Sequence, residues 1–229
     1  MTTGELIDRV QSLYSKGTKS DDSRLSSRFI YSKLLSVRAI LIKQLRSKNN
    51  RLNSDNYTIL NCIKLIKVDA INCPCIPVTG CKVYRSEFKI PSIIEERDRL
   101  IIEFVSSLDN SVIFTMSDVI KYKFSSGNRY NSDFYIYQNG YIYVYGKKLP
   151  KYIMIKAVLE NPSETYEGDC EEECVGCECM SNYDKEFPIQ SALVEPMLEF
   201  TNKELIGMFS QMREDLSNDN KDSIIGQAK

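Results

Sequence analysis

The sequence predicts an α+β protein with helices at both ends and a central, mostly antiparallel β region. Apolar residues recur at helical spacing near both ends, whereas β-branched and aromatic residues dominate the middle of the chain. A chain of 229 residues is long enough to bury a sizeable core. We divide it into an N-terminal helical segment (1–55), a β-rich region (56–160), an acidic cysteine-rich loop (161–186), a C-terminal helix (187–217) and a flexible tail (218–229).

Two amphipathic helices, arranged as a helical hairpin, are predicted in the N-terminal segment. The first runs from Glu5 to about Lys16, and the second follows N-cap candidates at Ser20, Asp21 and Asp22 and runs to about Lys48. Their apolar stripes comprise Leu6, Val10, Leu13 and Tyr14 on the first helix, and Ile30, Leu34, Val37, Leu41 and Leu45 on the second. Basic residues fill much of the rest of the second helix: Arg24, Arg28, Lys33, Arg38, Lys43 and Arg46. We therefore expect this helix to have one buried face and one cationic face.

Alternating patterns and turn residues locate the strands. The clearest pair flanks Asn139-Gly140, which is typical of a type I′ hairpin turn because both central positions need a positive φ. The predicted strands are Thr58–Val68, Lys82–Lys89, Leu100–Ser106, Val112–Thr115, Phe134–Tyr137, Tyr141–Tyr145 and Tyr152–Leu159. Asp109-Asn110 is predicted to turn the chain between the third and fourth of these strands.

The C-terminal helix is predicted to begin near Ser191, or at about Glu195. The second choice would place Pro196 in the first turn, where its missing N–H group is harmless. Its predicted inward face is largely apolar and comprises Met197, Phe200, Glu204, Met208 and Phe209.

The composition excludes several kinds of chemistry. The chain has no histidine, and Ser/His/Asp catalysis, Cys/His catalysis and mixed Cys/His zinc sites all need an imidazole. It also lacks a phosphate-binding loop, a dinucleotide fingerprint and a paired-carboxylate motif. Lysine and arginine together number 30 against 31 acidic residues, so the net charge predicts no affinity for nucleic acid. We therefore expect a protein that is not an enzyme.

Eight cysteines form two groups of four, and zinc is the one candidate cofactor. Cys170, Cys174, Cys177 and Cys179 place four potential thiolates within ten residues, which is the number of ligands that a tetrahedral zinc site needs. However, the group contains a single CxxC and many glutamates, so an exposed thiol-rich loop without metal is the stronger interpretation and metal binding is the alternative. The other group comprises Cys62, Cys73, Cys75 and Cys81, and it could bind metal, form a disulfide or pack in the core.

The first residues lack the basic and apolar segments of a secretory signal, and no run approaches the roughly 18 apolar residues of a membrane span. We therefore expect synthesis in the cytosol, where cysteines stay reduced. The basic helix and the hairpin tyrosines could contact nucleic acid. A solvated helix face and a covered sheet are the simpler interpretations.

Three stretches carry a distinctive combination: Ser20–Arg38, Cys73–Cys81, and Phe187–Gln190 with the helix that follows. In this order they resemble the head-to-tail adaptor, the first ring protein below the portal, of crAss-like bacteriophages. The resemblance implies a virion structural protein at the head-tail junction, made in the cytoplasm of a bacterial host. It further implies a closed ring of twelve copies that binds the portal and other tail ring proteins. DNA would pass through the lumen without sequence-specific binding, and no membrane is involved.

Two other hypotheses follow from the cysteines. A four-cysteine zinc protein that regulates or binds nucleic acid would explain the cysteines and the basic helix, although it leaves the tyrosine-rich β region unused. A redox enzyme built on Cys174 and Cys177 is the third hypothesis.

Overall fold

The protein consists of two compact units. The computed structural model describes residues 1–15, 25–48, 51–69, 82–116, 133–146, 149–164 and 183–225, with side chains at all of these except 69, 82 and 209–225. A helical unit contains Met1–Leu52 and Met180–Lys229, and a barrel unit contains Asn53–Cys179. Both ends of the chain thus build the helical unit, and the barrel unit is inserted between them. The predicted α+β class is confirmed.

The described residues form three α-helices and nine strands. The helices are α1 (Thr3–Tyr14), α2 (Ser27–Ser47) and α3 (Ser191–Ile225), and a 3₁₀ turn spans Ser54–Asn56. The strands are β1 (Thr58–Asp69), β2 (Lys82–Ser86), β3 (Glu95–Glu96), β4 (Arg99–Leu100), β5 (Ile102–Ser107), β6 (Ile113–Met116), β7 (Phe134–Gln138), β8 (Tyr141–Tyr145) and β9 (Tyr152–Ala157). Each strand predicted from the sequence has a counterpart, whereas the short pair β3–β4 was not predicted.

The start of α1 is tied to the segment that precedes α3. Thr2 and Glu5 form a capping box, in which each side chain accepts a hydrogen bond from the other residue's backbone N–H group. The two N–H groups between them donate to that segment: Thr3 N to Lys185 O at 3.0 Å, and Gly4 N to Tyr183 O at 2.8 Å. All four N–H groups that a helix start normally leaves without partners are therefore bonded.

The three helices bury one shared apolar cluster. It comprises Leu6, Ile7, Val10, Leu25, Ile30, Leu34, Val37, Leu41, Phe187, Ile189, Met197, Leu198 and Leu205. Of the predicted stripe residues, Leu13 is instead 49% exposed. Helix α2 begins at Ser27 with Ser26 as its N-cap, so the predicted start after Ser20–Asp22 was too early. The connection between α1 and α2 lies outside the described residues, and the helical hairpin stays a prediction.

Helix α3 differs from its prediction in extent. It begins at Ser191, passes through Pro196 and continues to Ile225, beyond the predicted end at residue 217. Pro196 is the sixth helical residue, and it cannot donate the hydrogen bond that would otherwise reach the carbonyl of Ala192. The helix continues past Pro196 because burial of the residues that follow stabilises it by more free energy than the missing hydrogen bond costs.

The buried face of α3 also differs from the prediction. Of the predicted inward residues, Met197 is buried, but Phe200 is 50% exposed and Glu204 and Met208 are exposed as well. The side chain of Phe209 lies outside the described residues. The observed buried residues are Met197, Leu198, Thr201 and Leu205. Large apolar residues occur on more than one side of this helix, so periodicity alone did not select the face that packs.

Seven strands of the barrel unit close into a barrel in the order β1-β2-β8-β7-β6-β5-β9. Among the described pairs of barrel strands, β6 and β7 run parallel and the others are antiparallel. Alternate residues fill the barrel interior, including Leu65, Val105, Tyr135, Val144 and Ile155. The barrel strands therefore enclose an apolar core, and the closure of the sheet into a barrel was not predicted from the sequence.

A β-bulge in β1 places two residues that are an odd number of positions apart on the same side of the strand. Leu60 pairs with Ile155 and Ile63 pairs with Ile153, so two residues of β1 oppose one residue of β9. The second of the two, Cys62, has a left-handed φ of 58°. The extra residue allows Leu60 and Ile63 both to be buried, although they are three positions apart.

The hairpin between β7 and β8 turns as predicted. Asn139 has a φ of 54° and Gly140 a φ of 82°, which are the positive values that a type I′ turn requires. A second tight turn joins β3 and β4 through Arg97 and Asp98, with φ values of 50° and 61°. Aspartate tolerates a positive φ but arginine rarely adopts one, so Arg97-Asp98 is a weaker turn signal than Asn-Gly and was not recognised in the sequence.

The two glycines at 140 and 207 provide a matched stability test. Gly140→Ala is expected to lower the free energy of unfolding by about 1 kcal/mol, because alanine is strained at a positive φ. Gly207→Ala is expected to raise it by about 0.5–1 kcal/mol, because the site is helical and no atom lies within 4 Å of the added Cβ. Urea unfolding measures both changes. Changes of equal sign would contradict this assignment of backbone conformations.

Burial raises the pKa of Tyr135, in the barrel interior, from 10.0 to about 12. Between these pH values the unfolded chain loses the phenol proton before the folded chain does, so we expect the free energy of unfolding to fall as pH rises through this range. Tyr135→Phe should make that fall smaller in urea unfolding at each pH. Tyr183→Phe, at a 48% exposed tyrosine, is the control and should leave the fall unchanged.

Candidate functional site

A buried arginine lies at the centre of the helical unit. Arg38 was predicted to lie on the cationic face of α2, but it is 0% exposed. Its Nε donates a hydrogen bond to the backbone oxygen of Pro188 at 2.8 Å, and its guanidinium carbon lies 5.7 Å from the centroid of the Phe187 ring. Burial lowers the pKa of Arg38 to about 10, so the side chain stays charged at neutral pH. A charge removed from water needs such polar and aromatic partners.

Arg38 holds the segment that leads into α3. Phe187 and Ile189 of this segment belong to the apolar cluster, and the ring of Tyr31 meets that of Phe187 edge to face at 6.5 Å. The backbone N–H group of Phe187 also donates to the carbonyl of Met1 at 3.0 Å. Residues 187–190 are therefore fixed from two sides, and the point at which α3 begins is fixed with them.

The surfaces of α2 and α3 differ in charge. Helix α2 has five basic residues and no acidic one, and with Arg38 buried the basic residues left for its surface are Arg28, Lys33, Lys43 and Arg46. Helix α3 has seven acidic and three basic residues. An ion pair between Lys33 Nζ and Glu204 Oε2, at 3.3 Å, joins the two helices. The helical unit thus combines a basic helix with an acidic one.

Both helices also expose large apolar side chains. Ile40 of α2 is 49% exposed, and Phe200 and Ile206 of α3 are each 50% exposed. The consecutive residues Ile206, Gly207 and Met208 are all exposed. None of the helices in the described part of the chain combines the length and the apolar character needed to cross a membrane.

The tyrosine-rich hairpin forms an aromatic cluster on the sheet. Its buried centre comprises Val83, Ile136 and Tyr143, with Phe134, Tyr141 and Tyr145 packed around it. The rings of Phe134 and Tyr145 stack at 4.7 Å, and the guanidinium carbon of Arg85 lies 4.3 Å from the centroid of Tyr141. Because Tyr143 is 2% exposed, its ring has no free face for a nucleic-acid base. The arrangement favours packing over base stacking.

Cys62 is the one cysteine among the described residues, and it is disulfide-bonded. The disulfide was one of the three outcomes left open for its group, and it contradicts the expectation that the cysteines stay reduced. The other cysteines proposed as metal ligands lie outside the described residues: Cys73, Cys75, Cys81, Cys170, Cys174, Cys177 and Cys179. Both zinc sites therefore stay predictions. Within the described ranges, no three cysteine or acidic side chains are grouped closely enough to hold a metal ion.

Helices α2 and α3 thus expose both charged and apolar side chains, on a fold that combines a helical unit with a β-barrel. The family model described as phage tail ring protein 2 matches residues 5–224. Ring protein 2 of Bacteroides phage crAss001 is 31% identical over 218 residues, which cover 90% of this chain and 91% of that protein. The chain therefore belongs to the phage tail ring protein 2 family. The predicted likeness to a ring protein of crAss-like phages is confirmed. The family is described as ring protein 2, whereas the predicted resemblance was to the first ring protein below the portal.

Arg38 is expected to contribute strongly to stability. Arg38→Ala should lower the free energy of unfolding by about 3 kcal/mol, because it opens a cavity and removes the donor to the Pro188 carbonyl. Arg28→Ala, at an exposed arginine of the same helix, should change it by less than about 0.5 kcal/mol. Urea unfolding with both variants tests this. Similar losses for the two variants would show that burial of Arg38 is not important for folding.

Proposed function

We propose that this chain forms a closed ring of twelve copies in the connector between the portal and the tail of a crAss-like phage. Membership of the tail ring family over residues 5–224 is the observation that carries the proposal. A closed ring needs a contact between two different surfaces of each subunit. The basic surface of α2 and the acidic surface of α3 support this requirement, because surfaces that meet in a ring have to be complementary.

The proposed partners are the portal on one side of the ring and further tail ring proteins on the other. DNA passes through the lumen during packaging and ejection, and its passage requires that the wall does not bind it tightly. A formal net charge of −1 supports this role, because the affinity of proteins for DNA depends mainly on basic residues that neutralise phosphates. The role is structural, and the ring is assembled in the cytoplasm of the bacterial host before it becomes part of the virion.

Binding to the portal is the first test. Purified portal from the same phage, mixed with this protein and imaged by negative-stain electron microscopy, is expected to carry an additional ring of density at its tail-facing end. Portal alone is the control. If the ring binds another tail ring protein but not the portal, its place in the virion is below another ring and not directly below the portal. If no ring forms when the protein is mixed with the portal, and none forms when it is mixed with another tail ring protein, the proposed function is contradicted.

Copy number is the second test. A reconstruction of the intact particle around the head-tail junction is expected to show twelve copies of this chain around the tail axis. A different rotational symmetry would refute the dodecamer while leaving the ring role in place.

A further inference from the structure

We infer that neighbouring copies in the ring are joined by the outer face of α2 on one copy and the outer face of α3 on the next. This inference rests on the proposed ring function and names the surfaces that would close the ring. The α2 outer face comprises the exposed residues Ser32, Ser36, Ile40 and Lys43. The α3 outer face comprises the exposed residues Glu195, Glu199, Phe200, Lys203 and Ile206.

The two faces have complementary shapes. On α2, Ser32 and Ser36 precede Ile40 at intervals of four residues, so two small side chains lie in one row beside a large apolar one. On α3, Phe200 and Ile206 are large, and each is 50% exposed. Ridges of large side chains on one helix pack into grooves left by small side chains on another. The aromatic ring of Phe200 is suited to the groove over the serines.

The α2 outer face can be covered at low polar cost. The hydroxyl of Ser36 already donates to the backbone oxygen of Ser32 at 3.1 Å, so a partner that covers it leaves no unbonded donor. Ile40, which is 49% exposed, gains from the same burial. Burial of Ser36 and Ile40 is therefore favourable without any new hydrogen bond.

Charge selects a second copy of this chain as the partner. Lys43 lies in the α2 face with Arg28 and Arg46 nearby on the same helix, whereas the α3 face holds Glu195, Glu199 and Lys203, and Glu195 also pairs with Arg9 of α1 at 3.3 Å. Contact between two α2 faces would bring like charges together, but contact between α2 and α3 can place Lys43 beside Glu199. Each copy carries both faces, so the contact repeats from copy to copy, as a ring requires.

Two exposed substitutions test the contact. Ile40→Asp places an acid beside the position expected for Glu199 of the next copy, and Phe200→Lys places a base where the basic α2 face is expected. Native mass spectrometry and negative-stain imaging measure assembly, alone and on the purified portal. Each variant by itself is expected to lose ring formation. An equal mixture is expected to recover rings in which the two variants alternate, because the intact α3 face of one variant meets the intact α2 face of the other, and at the remaining contact the introduced acid meets the introduced base.

The possible outcomes separate the surfaces from the ring function. If wild-type chain forms no ring alone or on the portal, the proposed function fails. If wild-type chain forms rings and either variant alone also does, or if a variant pairs with itself, the inferred surfaces are wrong. Leu13→Asp, at a 49% exposed residue of α1, is the control and should still form rings.

Loss of folding is excluded by circular dichroism and by an unchanged unfolding midpoint. If either charged variant unfolds, Ile40→Ser and Phe200→Ser replace it. These milder variants are expected to raise the concentration needed for half-assembly by about tenfold, since they remove apolar contact without adding charge. An unchanged half-assembly concentration would overturn the inference.

Discussion

The helical unit depends on one interaction, the hydrogen bond from the buried Arg38 to the carbonyl of Pro188, which joins residues 150 positions apart. A guanidinium in an apolar cluster tolerates few arrangements, because every displacement leaves a charge without its polar partner. The segment 187–190 is therefore fixed on α2, and α3 starts in a fixed place and orientation. Which side of α3 is buried, and which is left outside, follows from this constraint.

Many strands and turns of the barrel unit could be predicted from the sequence because residues close together in the chain determine them. Asn139-Gly140 can form few turns other than the one observed, and alternating residues on β7 and β8 confirm the register. The β3–β4 turn was missed because Arg97, unlike asparagine or glycine, rarely adopts a positive φ and so weakens the signal of the adjacent Asp98. The bulge at Cys62 was missed because the pairing of β1 with β9 creates it, and the residues around Cys62 give no local signal.

The helical unit was harder to predict because its faces are chosen by contacts between distant segments. Arg38 looked like one of several surface cations, and only the approach of Phe187 and Pro188 gives it a buried place. On α3, Phe200 seemed a better core residue than Thr201, but the fixed start of the helix turns Thr201 inward and Phe200 outward. The exposed apolar residues of the candidate site are thus a result of tertiary structure.

The insertion of the barrel between α2 and α3 has a consequence for synthesis. The first two helices leave the ribosome early, yet the residues that complete their core, such as Phe187 and Met197, emerge only after the whole barrel unit. The barrel can fold during translation, whereas the helical unit has to wait for the final segment. A ribosome-bound fragment would therefore present no finished pair of helix faces, which delays association between copies until each chain is fully made.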